Sequence, residues 1–528
     1  MKLSSRNSFV WIAVTSVVLI VAFASCSKTD TTSPPAASGD GGTGRRSAAA
    51  TTARPVERPA GPKADLSEEL TAGSGPFLGE SSRIVGGDTP AIGTARLPSG
   101  YIEREFVAAG TATDYRVVGE LSRDGRWSFE PGNSAEYRTR VVVRRPEDPG
   151  RASGTVVVEW LNVSGGVDAN PDYASLEEEI ARRGHIWVGV SAQLIGVEGG
   201  PVLVKAPGAE QFVGKGLKAI DPARYGSLRH PGDGFAFDIY TQIARALREG
   251  GTVLGGATPQ VLLAVGESQS AIALTTYYNG VQPLTQAFDG FLIHSRGSVG
   301  LPLVGPGQYA DLAGSIAAAK PALIRDDLDA PVLELQTEGD VTGILDSFSV
   351  RQPDTERFRL WEVAGASHAD VHLLGSIAES LNCGVPINDG PMHIVAKAAL
   401  RSLDRWVRTG DAPPEAPRLE VAVEERPRIK RDEDGIALGG IRTPPVDVPV
   451  VVLSGEPGPS QEIICILMGS TLPMPAERIA ARYASVEDYL QRFEEETNET
   501  IAAGFVLDED REALKGYAKP ELVEAAHR

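Results

Sequence analysis

Val261-Leu262-Leu263-Ala264-Val265-Gly266-Glu267-Ser268-Gln269-Ser270-Ala271-Ile272-Ala273-Leu274 is the stretch on which the reading of this chain turns. Its first five residues form an unbroken β-prone apolar run, as expected of a strand covered on both faces. Ala271 to Leu274 open a helix. Between them lies a tight bend with small residues two before and two after Ser268, which lifts a hydroxyl clear of the backbone. A serine hydroxyl is a poor nucleophile at neutral pH and needs an exposed position and an adjacent base. Ser268 is therefore the candidate nucleophile. Ser270 stands where the usual Gly-x-Ser-x-Gly pattern has its second glycine, which predicts a slightly wider turn. Gly79-Glu80-Ser81-Ser82 repeats the letters with no strand before it, so context decides.

Working outward, β-prone runs at 155–161 and 186–190 precede this stretch, and runs at 291–293, 332–335 and 360–363 follow it. Helical patterns at 173–183, 235–248 and 394–408 fall between or after them. The last has Val395, Ala399, Leu403 and Trp406 at helical spacing, Gly410 as its stop and Pro413-Pro414 beyond. Strands alternating with helices mean βαβ units, hence an α/β fold with a mostly parallel sheet and helices on both faces. Residues 136–143 alternate instead. Tyr137, Thr139, Val141 and Val143 share one face, with Arg138 and Arg140 on the other, as in an antiparallel edge strand with one wet side.

In such an order the general base and its acid partner come after the nucleophile. The run at 332–336 ends in Thr337-Glu338-Gly339-Asp340. Asp340 is preferred as the acid by its place in the turn, with Glu338 in reserve. Of the seven histidines, His368 follows the strand at 360–363 through the small turn Ala364-Gly365-Ala366-Ser367, which lets its ring swing back toward Ser268. His185 precedes its strand and falls at the wrong end of a parallel sheet. His230 and His527 lie in a loop and the tail, and packing roles are expected for His294 and His393. His368 and His372 make an H-x-x-x-H pair, but Ala369 stands where a zinc protease needs Glu, so no metal is expected. Donors for an oxyanion come from the N–H of Gln269 and from Asn162 or Val163 in the glycine-rich loop 162–166.

The bulk composition narrows the class. At 528 residues the chain suits one large catalytic unit plus a tail or subdomain. A net charge of −19 with scattered Lys and Arg argues against nucleic acid as a partner. Lys2 and Arg6 precede an apolar run at 9–24, the layout of an export signal. Phe23-Ala24-Ser25-Cys26 resembles a lipobox, with Phe23 where an aliphatic residue is usual, and Ala22-Phe23-Ala24 fits ordinary cleavage. The lipoprotein is preferred, giving lipidation at Cys26, attachment to the membrane through that lipid alone, and a cell-envelope location. Residues 27–81 are rich in Ser, Thr, Pro, Ala and Gly and read as a disordered tether. The other two cysteines, Cys383 and Cys465, are either a disulfide or two buried free thiols. The resulting layout is an export signal at 1–26, the tether at 27–81, a catalytic domain at 82–420, and an extension at 421–528 packed on the same unit. That extension contains a helix capped by Ser485 with Val486, Tyr489, Leu490 and Phe493 on its apolar face.

Five segments carry a family resemblance: Gly110-Thr111-Ala112, Val158-Glu159-Trp160-Leu161-Asn162, Gly266-Glu267-Ser268-Gln269-Ser270, Asn388-Asp389-Gly390-Pro391 and Gly439-Gly440-Ile441-Arg442. With them the chain resembles the α/β-hydrolase superfamily, and more narrowly the bacterial group called α/β-hydrolase domain proteins. The resemblance implies the α/β-hydrolase fold and cleavage of an ester-like bond, with a small-molecule or polymeric ester as partner and no cofactor. The expectation is a serine-dependent carboxylic-ester hydrolase acting outside the cytoplasm. The competing readings are a peptidase or acyltransferase on the same fold and a non-catalytic surface binding protein.

Overall fold

The unbroken apolar strands of this chain send alternate side chains to opposite faces, and both faces must be covered. The computed structural model describes residues 58–78, 97–205 and 211–528. Nine strands form one sheet in the order β1-β2-β3-β5-β4-β6-β7-β8-β9. They are β1 (Asp65–Glu69), β2 (Tyr101–Val118), β3 (Ser128–Pro146), β4 (Thr155–Trp160), β5 (Ile186–Val190), β6 (Val261–Glu267), β7 (Gly290–His294), β8 (Val332–Thr337) and β9 (Phe358–Val363). Pairing is antiparallel from β1 to β5 and parallel from β5 to β9.

The helices are α1 (Pro171–Arg183), α2 (Ala236–Arg248), α3 (Gln269–Thr276), α4 (Met392–Thr409) and α5 (Val486–Ala502), with shorter turns between them. Val156, Val158, Trp160, Leu262 and Ala264 pack with Phe237, Tyr240 and Ile243 of α2 and Ile272 of α3. Val157, Leu263 and Val265 pack on the other face with Leu176 and Ile180 of α1 and Val395, Leu403 and Trp406 of α4. Each such large side chain stabilises the fold by about 2 kcal/mol relative to exposure.

Because β5 and β6 flank β4, the chain leaves β4 in one direction and returns on its other side. This reversal opens a crevice at the carboxyl ends of the strands. The segments after β4, β6, β7, β8 and β9 all emerge along that edge.

Two expectations are corrected at the antiparallel edge. The segment 58–78, read as part of a tether, is packed on the sheet. Its β1 pairs with β2, and Leu66, Leu70, Phe77 and Leu78 are buried. The packed unit therefore starts well before residue 82. The second face of β3 is also covered by this segment at Arg140 and Arg144, whereas Arg138 on the same face stays partly exposed. Arg140 is wholly buried and donates to Phe77 O at 2.8 Å, Glu105 at 3.0 Å and Asp168 at 2.7 Å. Arg144 donates to Leu78 O at 2.6 Å, and Arg224 to Leu70 O at 2.6 Å. Buried guanidinium groups have thus found carbonyl and carboxylate acceptors that a strand pattern does not reveal. The leader, Cys26 and Gly79-Glu80-Ser81-Ser82 lie outside the described residues. Among the described residues no helix is long and apolar enough to cross a membrane.

The C-terminal extension joins the sheet edge through a bridge between Val363 and Ile441 and an edge-to-face contact of Phe505 on Trp361. In α5, Ser485 accepts the Asp488 N–H, and Tyr489 and Phe493 are buried. Leu490 is 41% exposed, because the buried stripe follows Tyr489 and Phe493 and leaves their neighbour turned aside.

Cys383 and Cys465 are joined as a disulfide across a separation of 82 residues. It lies in a small apolar cluster with Ala369, Leu374, Ile377 and Met468, and so ties the segment just after His368 to the extension. Closing a loop of that length is worth about 4 kcal/mol in the chain-entropy account. Replacing both cysteines by serine is expected to lower the unfolding free energy, read from urea denaturation, by most of that amount and to move the midpoint down accordingly. An unchanged midpoint would show that the bond adds nothing to stability.

Candidate active site

Ser268 is the hinge between β6 and α3. Its backbone sits at φ 64° and ψ −119°, a region costly for a residue with a Cβ. Two hydrogen bonds hold it there. Ser268 N–H donates to His294 O at 2.9 Å, and Ile272 N–H donates to Ser268 O at 3.1 Å. Gly266 explains the small neighbours, since a Cβ there would lie 3.0 Å from both Ser270 Cβ and Leu274 Cδ1. Ser270 fits because Gly266 opposite it has no side chain.

The hydroxyl of Ser268 is partly exposed and lies 2.9 Å from His368 Nε2. On the other side of the ring, His368 Nδ1–H donates to Asp340 Oδ1 at 2.6 Å. The remaining oxygen of Asp340 accepts from Ser295 Oγ at 2.7 Å, Thr337 N–H at 2.8 Å and Thr337 Oγ1 at 2.7 Å. Burial alone would push this carboxyl up. His368 and these donors outweigh it and hold Asp340 below the usual aspartate value. For His368 burial opposes the charged form, but Asp340 wins and raises its pKa above 6.5. Asp340 is fixed by its own helix turn, because Thr337 and Asp340 form a reciprocal cap on the short helix Glu338–Thr342.

Glu338, the reserve acid, meets other partners. It accepts the Gly365 N–H at 2.9 Å and Ser454 Oγ at 3.1 Å, and pairs with Arg431. Gly365 adopts φ 68° inside the loop that presents His368, so Glu338 pins that loop from beneath. Asn388 pins it from the side, donating to Gly365 O at 2.8 Å and Ser454 O at 3.0 Å. Sequence reasoning missed Ser295 and Asn388 as supports. The segment Asn388-Asp389-Gly390-Pro391 had marked the second without saying what it does.

The two loop residues expected as alternative donors for an oxyanion, Asn162 and Val163, have different partners. Gln269 opens α3, and its N–H has no intrahelical acceptor. Asn162 is not available, because its N–H donates to Ala169 O at 2.9 Å. Its side chain shapes the loop instead, donating to Glu267 O at 3.0 Å and accepting the Ser164 N–H at 2.8 Å. The neighbouring Val163 N–H faces the elbow and donates to Gln269 Oε1 at a long 3.2 Å. An open cleft of about 140 Å³ lies beside Val163 and Gln269, walled by Ile195, Val202, Leu203 and Leu312. None of its described lining residues is Lys, Arg or His. Asp233 ties the two walls, accepting the Leu194 N–H at 2.7 Å and the Ala310 N–H at 2.8 Å.

The other histidines are dispersed. His185 Nδ1 meets Ser153 Oγ at 2.7 Å, and His230 Nε2 donates to Ala192 O at 2.8 Å. His527 Nε2 donates to Tyr483 O at 2.9 Å. His372 Nε2 donates to Ala174 O at 3.1 Å, and its ring stacks on His393 at 3.6 Å. His368 and His372 therefore serve different partners. Asp172, Glu267 and His294 bring one donor atom each within 4.8 Å. His294 Nδ1 is hydrogen-bonded to Asp172 Oδ1 at 3.0 Å in this arrangement.

Residues 60–516 match the family described as alpha/beta hydrolase domain. No curated protein matches the chain. Among solved structures, a fungal esterase of Rhizomucor miehei overlaps 57% of this chain and 86% of its own at 11% identity and a TM-score of 0.29. A thermostable esterase from Pseudomonas putida overlaps 55% and 81% at 12% identity and a TM-score of 0.28.

Proposed function

Because the chain belongs to the alpha/beta hydrolase domain family, we propose that it is a serine-dependent hydrolase of carboxylic esters. The observation that carries this reading is the unbroken hydrogen-bonded line from Ser268 Oγ through His368 to Asp340, at 2.9 and 2.6 Å. His368 takes the proton as Ser268 Oγ attacks the acyl carbon. The developing oxyanion is met by the N–H of Gln269 and by that of Val163, where it replaces the long hydrogen bond to the Gln269 side-chain oxygen. His368 then protonates the departing alcohol, and a water activated by the same imidazole releases the acid from the acyl-enzyme. Asp340 keeps the ring in the tautomer that presents Nε2 to the hydroxyl. No step calls for a metal or an organic cofactor.

The test is chemical. A fluorophosphonate is expected to leave one covalent adduct, mapped by peptide mass spectrometry to Ser268. A protein that stays unlabelled would overturn the reading.

The pH profile offers a second test. The working form has His368 neutral, and Asp340 lifts its pKa above 6.5. Activity, measured as kcat/KM, should therefore fall on the acid side with an inflection above that value. An inflection well below it would contradict the pairing.

The enzyme is further proposed to act in the cell envelope, tethered by lipid on Cys26. The lipobox-like segment and the Cys383–Cys465 bond, suited to an oxidising compartment, support this. Mass spectrometry of the mature N-terminus would separate a lipidated Cys26 from cleavage after Ala24.

A further inference from the structure

Beneath the nucleophile turn lies a charged cluster that the reaction as described does not use. His294 ends β7, Glu267 ends β6, and Asp172 sits in the first turn of α1. All three are at least nine-tenths buried. His294 Nδ1–H donates to Asp172 Oδ1 at 3.0 Å and lies 3.6 Å from Glu267 Oε2. The backbone of the same residue receives the Ser268 N–H. Asp172 is held by Glu159, which accepts the N–H groups of Asp172 and Tyr173 at 3.1 and 2.9 Å. One residue thus holds the strained elbow through its main chain and the start of α1 through its ring, with the carboxylate next to the serine in ion-pair range.

We propose that His294 is a positioning residue for the reaction: as an imidazolium between Asp172 and Glu267, it fixes the nucleophile turn and offsets the carboxylate charge facing His368. The inference rests on the serine-hydrolase reading and adds to it a charge that this reading does not contain. Two buried carboxyl groups with oxygens within 4.8 Å repel each other when both are ionised, and a cation beside them relieves that repulsion. Burial disfavours charge on His294, yet Glu267 and Asp172 outweigh it and lift its pKa to about 9. Glu267, lifted by burial and drawn down by His294, stands at about 7. The other groups facing the cluster are Asp340 and His368 across the turn and Asp370 before the helical turn Val371–Leu374. On His368, Glu267 favours the proton and His294 opposes it. Removing either should therefore move the acid limb of the pH profile in opposite directions.

The experiment compares His294→Asn, Glu267→Gln and the double variant in the full chain. Each is checked by circular dichroism and by fluorophosphonate labelling, then assayed on p-nitrophenyl butyrate from acid to alkaline pH. Asn can donate to Asp172 without carrying charge. His294→Asn is expected to lower kcat by about tenfold with KM within about twofold. It should also raise the acid limb of kcat/KM by about half a pH unit. Glu267→Gln should lower that limb, and the double variant should return it toward wild type. If His294→Asn fails to fold, the downward shift in Glu267→Gln still decides the matter. Labelled variants whose acid limbs do not move would overturn the inference and reduce the cluster to packing. Activity lost to a chelator and restored by zinc would also overturn it, by making the cluster a metal site. Wild-type protein without an adduct at Ser268 would instead remove the parent reading.

Discussion

Ser268→Ala is expected to lower kcat/KM for short-chain p-nitrophenyl esters by about 10⁴-fold or more, with the fold intact. The size follows from the geometry. The hydroxyl is the atom that the imidazole faces at 2.9 Å, and no other hydroxyl is hydrogen-bonded to His368 among the described residues. Without it the oxyanion donors can polarise a bound ester, but no acyl-enzyme forms. Structural cost should be small, because the turn is held by main-chain bonds from Ser268 N–H to His294 O and from Ile272 N–H to Ser268 O. Alanine would adopt the same positive φ at a similar strain. Turnover and far-ultraviolet circular dichroism together check the point. A variant that is folded and still active would remove Ser268 from the mechanism.

The second large effect separates two acids that lie two residues apart. Asp340→Asn should cost about 10⁴-fold in kcat. Asp340 receives four hydrogen bonds, one of them from His368 Nδ1–H. A carboxamide turns one of these acceptors into a donor, favouring the wrong tautomer of the ring and withdrawing the charge that stabilises its protonated form. Glu338→Gln should leave kcat within about tenfold, since Glu338 meets Gly365 and Ser454 rather than the imidazole. Its cost should appear as stability, about 2 kcal/mol for weakening hydrogen bonds to a buried charge. Activity and urea denaturation of the two variants, measured side by side, give the comparison. Equal losses of kcat would mean that Glu338 also acts on the ring.

These two residues show where sequence reasoning reaches its limit. Thr337-Glu338-Gly339-Asp340 marks the end of a strand on the reactive edge, and it leaves two carboxylates available. Which one meets His368 depends on the capping turn begun by Thr337, whose hydroxyl and N–H both fasten on Asp340. Asn162 teaches the same lesson. It lies on the loop expected to supply a donor, but a bridge to Ala169 takes its N–H, which leaves the alternative, Val163, as the donor in the proposed mechanism. Arg140 was assigned to a solvent face because alternation counts side chains and cannot see a distant segment laid over them. His294 looked like packing because its partners lie far away in sequence, on α1 and at the end of β6.

Local order along the chain determined the parallel sheet, the bend at Ser268 and the sequence in which acid and base follow it. Strand periods, turn residues and helix stops are set by neighbours within a few positions, so they can be read from the residues themselves. Only the folded molecule decided which carboxylate faces the imidazole, which loop N–H faces the elbow, where the segment 58–78 lies and what covers Arg140 and Arg144 of β3. Those outcomes depend on which groups the fold brings together, such as His368 with Asp340 across 28 residues, Arg140 with Phe77 across 63 and Val163 with Gln269 across 106. Each was settled by which buried polar group found its partner.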